Sequence, residues 1–418
     1  MSRPLAAVLT TLALLIPGTA VHAAPTAAPA PASSVRVSAL APPDLTSRLD
    51  GAARSQYLGA RMSGVVLDSE TGTELWAHRA TVTRMPASTQ KVMTALSTLE
   101  SMDPDAQLVT RAFQSRAHRT NIYLKGAGDP SLTSAKLRSL AERTAANLKA
   151  QKRTSVRLYA DATIFPAPTS AAGWKASYLR AGEVQPVRGL TLARYRGADG
   201  SIAAARTFAA HLKAFGVTAT VSGHARTPER STEMAASWSA PVSALVARML
   251  LVSDNDYAEY LLRLSALEAG RAPTWGESLA HQRRVLDGVG VPMTGYVNSD
   301  GSGLSRSNRM PVRTLAGAVD LLWSNPAHRQ IAFAPGAMPR AGQTGTLRAR
   351  YTAPTQRCAR GRVLAKTGTL GDAVALAGVA QGVDGRTRVF ATVQNGGGRA
   401  AAVRTAVDGV ATAAVGCR

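Results

Sequence analysis

Ser88-Thr-Gln-Lys91 sets a hydroxyl and an amine three positions apart. On a helix, that spacing brings both side chains to one face within reach of each other. A serine alcohol is a weak nucleophile until a neighbouring base removes its proton, and lysine can do this only when neutral. A dry pocket and a second cation each push a lysine pKa down; Lys366 is the candidate second cation. Ser253-Asp254-Asn255 adds a hydroxyl able to relay a proton from Lys91 towards a leaving amine. The Asn255 amide can fix a peptide carbonyl through directional hydrogen bonds. Lys366-Thr367-Gly368-Thr369 supplies positive charge and two hydroxyls for a substrate carboxylate, and Gly368 lets backbone approach a ligand closely. With Ser88 at the start of a helix, where unpaired N–H groups favour negative charge, the N–H groups of Ser88 and Thr369 form the expected oxyanion hole. Together the strings describe serine acyl transfer. Singly, each also reads as ordinary structure: an N-cap, a helix stop, a strand end.

The elements that must position these groups follow from periodicity. An amphipathic helix is expected over 44–57, with Leu45, Leu49 and Ala53 on one side. Strands at 63–68 and 74–78 flank the turn Ser69-Glu-Thr-Gly72. The helix carrying Ser88 and Lys91 continues through Val92, Met93, Leu96 and Leu99. Helical patterns recur over 241–251, 256–268, 277–288 and 312–322, so the Ser253 string falls in a break between two helices. The chain then reads as strands at 363–367, 373–381 and 387–394, a Gly-rich turn at 396–398 and a helix over 400–414. Residues 107–227 form a separate pattern: strands at 121–124, 155–159, 188–195 and 217–221, and helices from Ser134 and around 202–215. The fold class is α+β: an antiparallel sheet built from both chain ends, covered by helices beside a helical lobe, with one α+β domain inserted. The expected domains are 44–104 with 231–418, interrupted by 105–230.

Residues 1–24 have the make-up of an export signal: Arg3, an apolar stretch from Leu5 to Ile16, and the small-residue pattern Val21-His22-Ala23. The stretch is too short to span a bilayer, which takes about 20 residues. Residues 25–43 are Ala/Pro-rich, the composition of a disordered linker. Cys358 and Cys417 are the only cysteines. In an exported protein an even pair suggests a disulfide, two free buried thiols being the other reading. The formal net charge is +23, carried mainly by scattered arginines rather than by a basic stripe with interleaved aromatics, which argues against nucleic acid. The charge suits anionic cell-wall polymers or a membrane surface, and equally an Arg-rich composition with no partner. No cysteine or histidine grouping has metal-ligand spacing, and no cofactor motif stands out.

The three strings in this order are the signature of penicillin-binding proteins and class A β-lactamases. With Gly128-Asp-Pro130, Val252-Ser-Asp-Asn255 and Asp300-Gly-Ser-Gly-Leu-Ser305, the chain resembles the D-alanyl-D-alanine carboxypeptidases/endopeptidases of serine peptidase family S13, the type-4, class C low-molecular-mass penicillin-binding proteins. The resemblance implies the penicillin-binding/β-lactamase-like transpeptidase fold and an acyl-enzyme mechanism on peptidoglycan stem peptides. It further implies inhibition by β-lactam antibiotics, endopeptidase activity on cross-links, and a module inserted between the first two motifs. Ser88 and Ser253 are 165 residues apart, shorter than in members with two inserted domains, so one is expected. In the family this module lends residues to the groove that reads the stem-peptide side chain. By position Asp161 is the candidate to pair with a diaminopimelate amine, flanked by Phe165 and Trp174; a turn-forming Asp at a strand end is the other reading. Ser302 and Ser305 fall at the expected groove rim. Two rivals stay open. A class A β-lactamase needs a Glu-held water for deacylation, and no such loop is evident after Asn255. The other is a non-catalytic wall-binding or penicillin-sensing protein.

Overall fold

The computed structural model describes residues 43–396 and 400–417. The export signal and all but the last residue of the linker lie outside this range, as does part of the Gly-rich turn at 396–398.

The chain ends meet in one sheet. Strands β1 (Met62–Asp68) and β2 (Glu74–His78) come from the N-terminal end. Helix α1 (Pro43–Ala53) precedes them and α2 (Gln90–Ser101) follows. The C-terminal end supplies β8 (Val363–Leu370), β9 (Ala373–Gln381) and β10 (Thr387–Asn395), then α11 (Ala400–Val415). The order is β2-β1-β10-β9-β8, and the pairs are antiparallel. β9 is almost wholly apolar (Ala-Val-Ala-Leu-Ala-Gly-Val-Ala-Gln) because it is central and covered on both faces. One face packs Val66, Leu376 and Phe390 against Leu45 and Leu49 of α1 and Val403 and Val407 of α11. Complete burial of a side chain such as Leu49 stabilises by about 1.5–3 kcal/mol. The other face supports the helical lobe.

That lobe comprises α2, α6 (Val242–Val252), α7 (Asn255–Glu268), α8 (Trp275–Gly288), α9 (Val312–Ser324) and α10 (Pro326–Ala332). Helix α2 is its centre, with Val92, Met93, Ala95 and Leu96 fully buried. Cys358, in a 3-10 turn, and Cys417, just beyond α11, form a disulfide with Cα atoms 6.1 Å apart.

Between α2 and α6 the chain builds a second sheet, in the order β6-β5-β4-β3-β7. Its strands are β3 (Gln107–Ser115), β4 (Asn121–Lys125), β5 (Ser155–Asp161), β6 (Thr218–His224) and β7 (Ser231–Pro241). The β4–β5 and β5–β6 pairs are parallel, and β3 is antiparallel to both its neighbours. Helices α3 (Ser134–Ala150) and α5 (Gly200–Ala214) pack Leu137, Leu140, Leu148, Phe208 and Leu212 on this sheet. Thr133 and Asp199 cap their N-termini. A short helix, α4 (Ala176–Arg180), lies in the long segment between β5 and α5.

The second sheet corrects two expectations. Residues 231–241 belong to it, paired with β3, so the first sheet's half of the chain resumes at Val242 and not at 231. Residues 188–195 are not a strand: this segment packs irregularly, with Gly128 N–H donating to the Gly189 carbonyl at 2.7 Å.

Candidate active site

Ser88 lies in a 3-10 turn, Ala87–Thr89, that runs directly into α2. Ala87 just before it has φ +49°, a left-handed conformation costing roughly 1–2 kcal/mol for a residue with a Cβ. The turn is held from outside. Thr89 Oγ1 donates to the Pro86 carbonyl at 2.7 Å, and Gly303 sits against the Ala87 carbonyl so closely that a Cβ there would lie 1.9 Å from its oxygen. Lys91, the second residue of α2 and three residues beyond Ser88, is fully buried. Its ammonium donates to Ser88 Oγ at 3.1 Å, Asn255 Oδ1 at 2.7 Å and the Ser302 carbonyl at 2.7 Å.

The second string forms the junction of α6 and α7. Ser253 ends α6 in a left-handed conformation, φ +60°, and Asp254 caps α7 by accepting from Tyr257 N–H. This bend sends Ser253 Oγ to Lys366 Nζ, 2.8 Å away. The Asn255 amide oxygen faces Lys91 while its nitrogen donates to the Glu183 carbonyl at 2.8 Å. Its second N–H remains for a ligand carbonyl.

The third string occupies β8, an edge strand of the first sheet. Its N-terminal half is bridged at Leu364 by Arg340; Gly368 in its C-terminal half has the turn of Ser88 beside it. Gly368 makes that approach possible, since a Cβ would lie 2.8 Å from the Pro86 carbonyl oxygen and 3.1 Å from the Ser88 nitrogen. Thr369 is exposed, whereas Thr367 is buried and donates to Thr346 Oγ1 at 2.8 Å. An exposed strand edge offers backbone groups to an extended peptide.

Both lysines are without solvent contact. Burial lowers the Lys91 pKa to about 8, against the opposing pull of Glu259, Asp300, Asp254 and Asp256. Burial lowers Lys366 well below the usual lysine range, and the charge of Lys91 adds to that. Dryness is thus the main influence on both lysines, and the repulsion between the two ammonium groups acts on each of them.

Three strings that are 165 and 113 residues apart thus meet through side-chain contacts at one place, with a serine on a buried lysine of depressed pKa. The model of the D-Ala-D-Ala carboxypeptidase 3 (S13) family matches residues 45–198 and 193–414, nearly the whole described chain. The protein belongs to this family. Carboxypeptidase DacB of Mycolicibacterium smegmatis is 30% identical over 398 residues, covering 89% of this chain and 84% of the relative. The D-alanyl-D-alanine carboxypeptidase of an Actinomadura species is 28% identical over 485 residues, covering 94% and 87%. Penicillin-binding protein 4 of Haemophilus influenzae superposes with a TM-score of 0.74 at 19% identity, covering 86% of this chain and 98% of that one, which shows the shared fold.

In this S13 protein the insertion does not present Asp161 to the cleft. Asp161 is buried at the end of β5. One carboxylate oxygen accepts from Thr163 N–H and Oγ1, the other from Thr227 N–H and Oγ1. It is a turn-building residue with no lone pair left for a ligand amine, so the stem-peptide role is withdrawn. Phe165 packs edge-on to Tyr260 and under the Arg263 guanidinium, while Trp174 donates to Asp300 at 2.9 Å. Ser302 and Ser305 are buried rather than at a rim; the Ser302 carbonyl is what reaches the site. Three site residues escaped the sequence reading. Thr346 and Glu183 act through local hydrogen bonds that no motif announces. Glu259, fully buried on α7, accepts from Gly301 and Ser302 N–H at 2.8 and 2.9 Å; its position four residues beyond Asn255, facing inward with the apolar stripe of α7, was the available signal.

Proposed function

We propose that this protein removes the terminal D-alanine from D-Ala-D-Ala-ended peptidoglycan stem peptides through an acyl-enzyme on Ser88, outside the cytoplasm. The observation that carries the reading is the Ser88 Oγ–Lys91 Nζ contact of 3.1 Å within a site closed by the Lys366–Ser253 contact of 2.8 Å.

The peptide lies extended along the free edge of β8. Its terminal carboxylate meets Lys366, Thr367 and Thr369, and the remaining Asn255 N–H takes a backbone carbonyl. Neutral Lys91 accepts the Ser88 proton as Oγ attacks the penultimate D-alanine carbonyl. Ser88 and Thr369 N–H groups receive the oxyanion, each such donor being worth about 10²–10³-fold in rate. Ser253 Oγ relays the proton taken up by Lys91 to the departing D-alanine amine, the C–N bond breaks, and the ester on Ser88 is later cleaved by water. A β-lactam amide opened by Ser88 in the same way leaves no departing amine and stays attached, making these drugs covalent inhibitors. Cross-linked stem peptides offer the same D-Ala carbonyl, so endopeptidase action uses the same residues. The signal-like residues 1–24 and the disulfide support export. Among the described residues no helix is long and apolar enough to cross a membrane.

The test is D-alanine release from a synthetic pentapeptide ending in D-Ala-D-Ala. Wild-type protein releases it and Ser88→Ala does not; release by the folded Ser88→Ala variant contradicts the reading.

A further inference from the structure

Glu259 carries a carboxylate into the interior of the lobe, and its position ties two parts of the site together. Its two oxygens are held separately, Oε2 by Gly301 N–H and Oε1 by Ser302 N–H. The loop so clamped is the one whose Ser302 carbonyl receives Lys91 Nζ at 2.7 Å. Thr94 of α2 grips the same loop through the Gly301 carbonyl at 2.7 Å. Asp300 anchors its far side by accepting from Gly303 and Ser305 N–H and from Asn308. Both oxygens are thus engaged by backbone amides of the loop that reaches Lys91.

We infer that Glu259 is a positioning residue for the general base: its side chain clamps the Gly301 and Ser302 N–H groups and so fixes the Ser302 carbonyl on Lys91. This rests on Lys91 being the base. The charged groups facing Lys91 come from every neighbouring element: Lys366 on β8, Glu259 and Asp256 on α7, Asp254 at the α6–α7 junction and Asp300 in the loop. Arg263, one turn further along α7, also feels Glu259. Glu259 is itself raised to about 8 by burial and by Asp300, opposed by its hydrogen bonds to Ser302 and Gly301. The Ser302 carbonyl accepts from the ammonium and so favours the charged form; letting that carbonyl drift makes Lys91 neutral at lower pH.

The experiment measures the second-order rate of acylation by benzylpenicillin from pH 5.5 to 9.5 for the full-length wild type, Glu259→Gln and Glu259→Asp. The wild-type rate is expected to rise with pH along an acid limb. In Glu259→Gln that limb moves down by about one pH unit, tenfold in neutral amine at a given low pH, while the plateau falls tenfold or more because an amide nitrogen now opposes a backbone N–H. Glu259→Asp shortens the reach and cannot hold both N–H groups, so its limb moves the same way and its plateau falls. A Glu259→Gln limb that coincides with the wild type's, whatever its plateau, overturns the inference while leaving Lys91 as base. A flat wild-type profile would instead remove the reading on which it rests. If Glu259→Gln does not fold, Glu259→Asp decides: an undiminished plateau or an undisplaced limb is contrary to the inference.

Discussion

Replacing Gly303 by alanine tests how tightly the loop holds the nucleophile. Gly303 has φ +84°, and an added Cβ would stand 1.9 Å from the Ala87 carbonyl oxygen and 2.5 Å from its carbon. Ordinary contact is about 3.5 Å, so one backbone segment must retreat by roughly 1.5 Å. The Ala87 carbonyl belongs to the same peptide unit as the Ser88 N–H. Pushing it aside tilts the oxyanion donor and shifts Ser88 against Lys91. Loss of one donor costs about 10²–10³-fold, and a misplacement near 1 Å costs about 10²-fold by itself. Acylation by benzylpenicillin, followed by intact mass against time, should therefore slow by roughly 100- to 1,000-fold. The left-handed backbone adds about 1–2 kcal/mol of lost stability. Gly336→Ala is the control: φ is +85° there too, but nothing lies within 4 Å of the added Cβ. It should lose similar stability and acylate normally. A Gly303→Ala enzyme acylating within threefold of wild type would refute the proposed contact between loop and nucleophile.

Other outcomes follow from the same structure. Lys91 acts as a base only when neutral and has its pKa lowered to about 8; acylation should thus rise about tenfold per unit between pH 6 and 7 and level off near pH 9, measured with benzylpenicillin. Asp161→Asn breaks a set of buried hydrogen bonds, so chemical denaturation should show a loss of about 1–3 kcal/mol, with KM for a stem pentapeptide unchanged; a raised KM would restore Asp161 to the groove. Cys358→Ser opens a crosslink between residues 59 apart, worth roughly 4 kcal/mol in the chain-entropy model, read as a lower denaturation midpoint with acylation intact.

The placement of the three strings was legible because local rules fix it: a turn into a helix, a break between helices, a strand. The core strands of the first sheet were legible for the same reason, as runs of alternating or continuous apolar residues. The inserted sheet was harder to read. β7, Ser-Thr-Glu-Met-Ala-Ala-Ser-Trp-Ser-Ala-Pro, is poor in β-branched residues and becomes a strand by pairing with β3, more than 100 residues earlier. Residues 188–195 have strand-like composition but are bent by packing at Gly189. Asp161 fits a turn and a ligand site equally well on paper; Thr227, distant in sequence, decides for the turn. Glu259 stayed hidden because its partners are backbone amides, which leave no trace in side-chain identity.

The most direct measurement is intact-mass spectrometry of the full chain after benzylpenicillin, with peptide mapping of the adduct. The account predicts a single adduct of the whole drug on the peptide containing Ser88, and none in Ser88→Ala. An adduct on any other peptide, or an equal adduct in that variant, would contradict it.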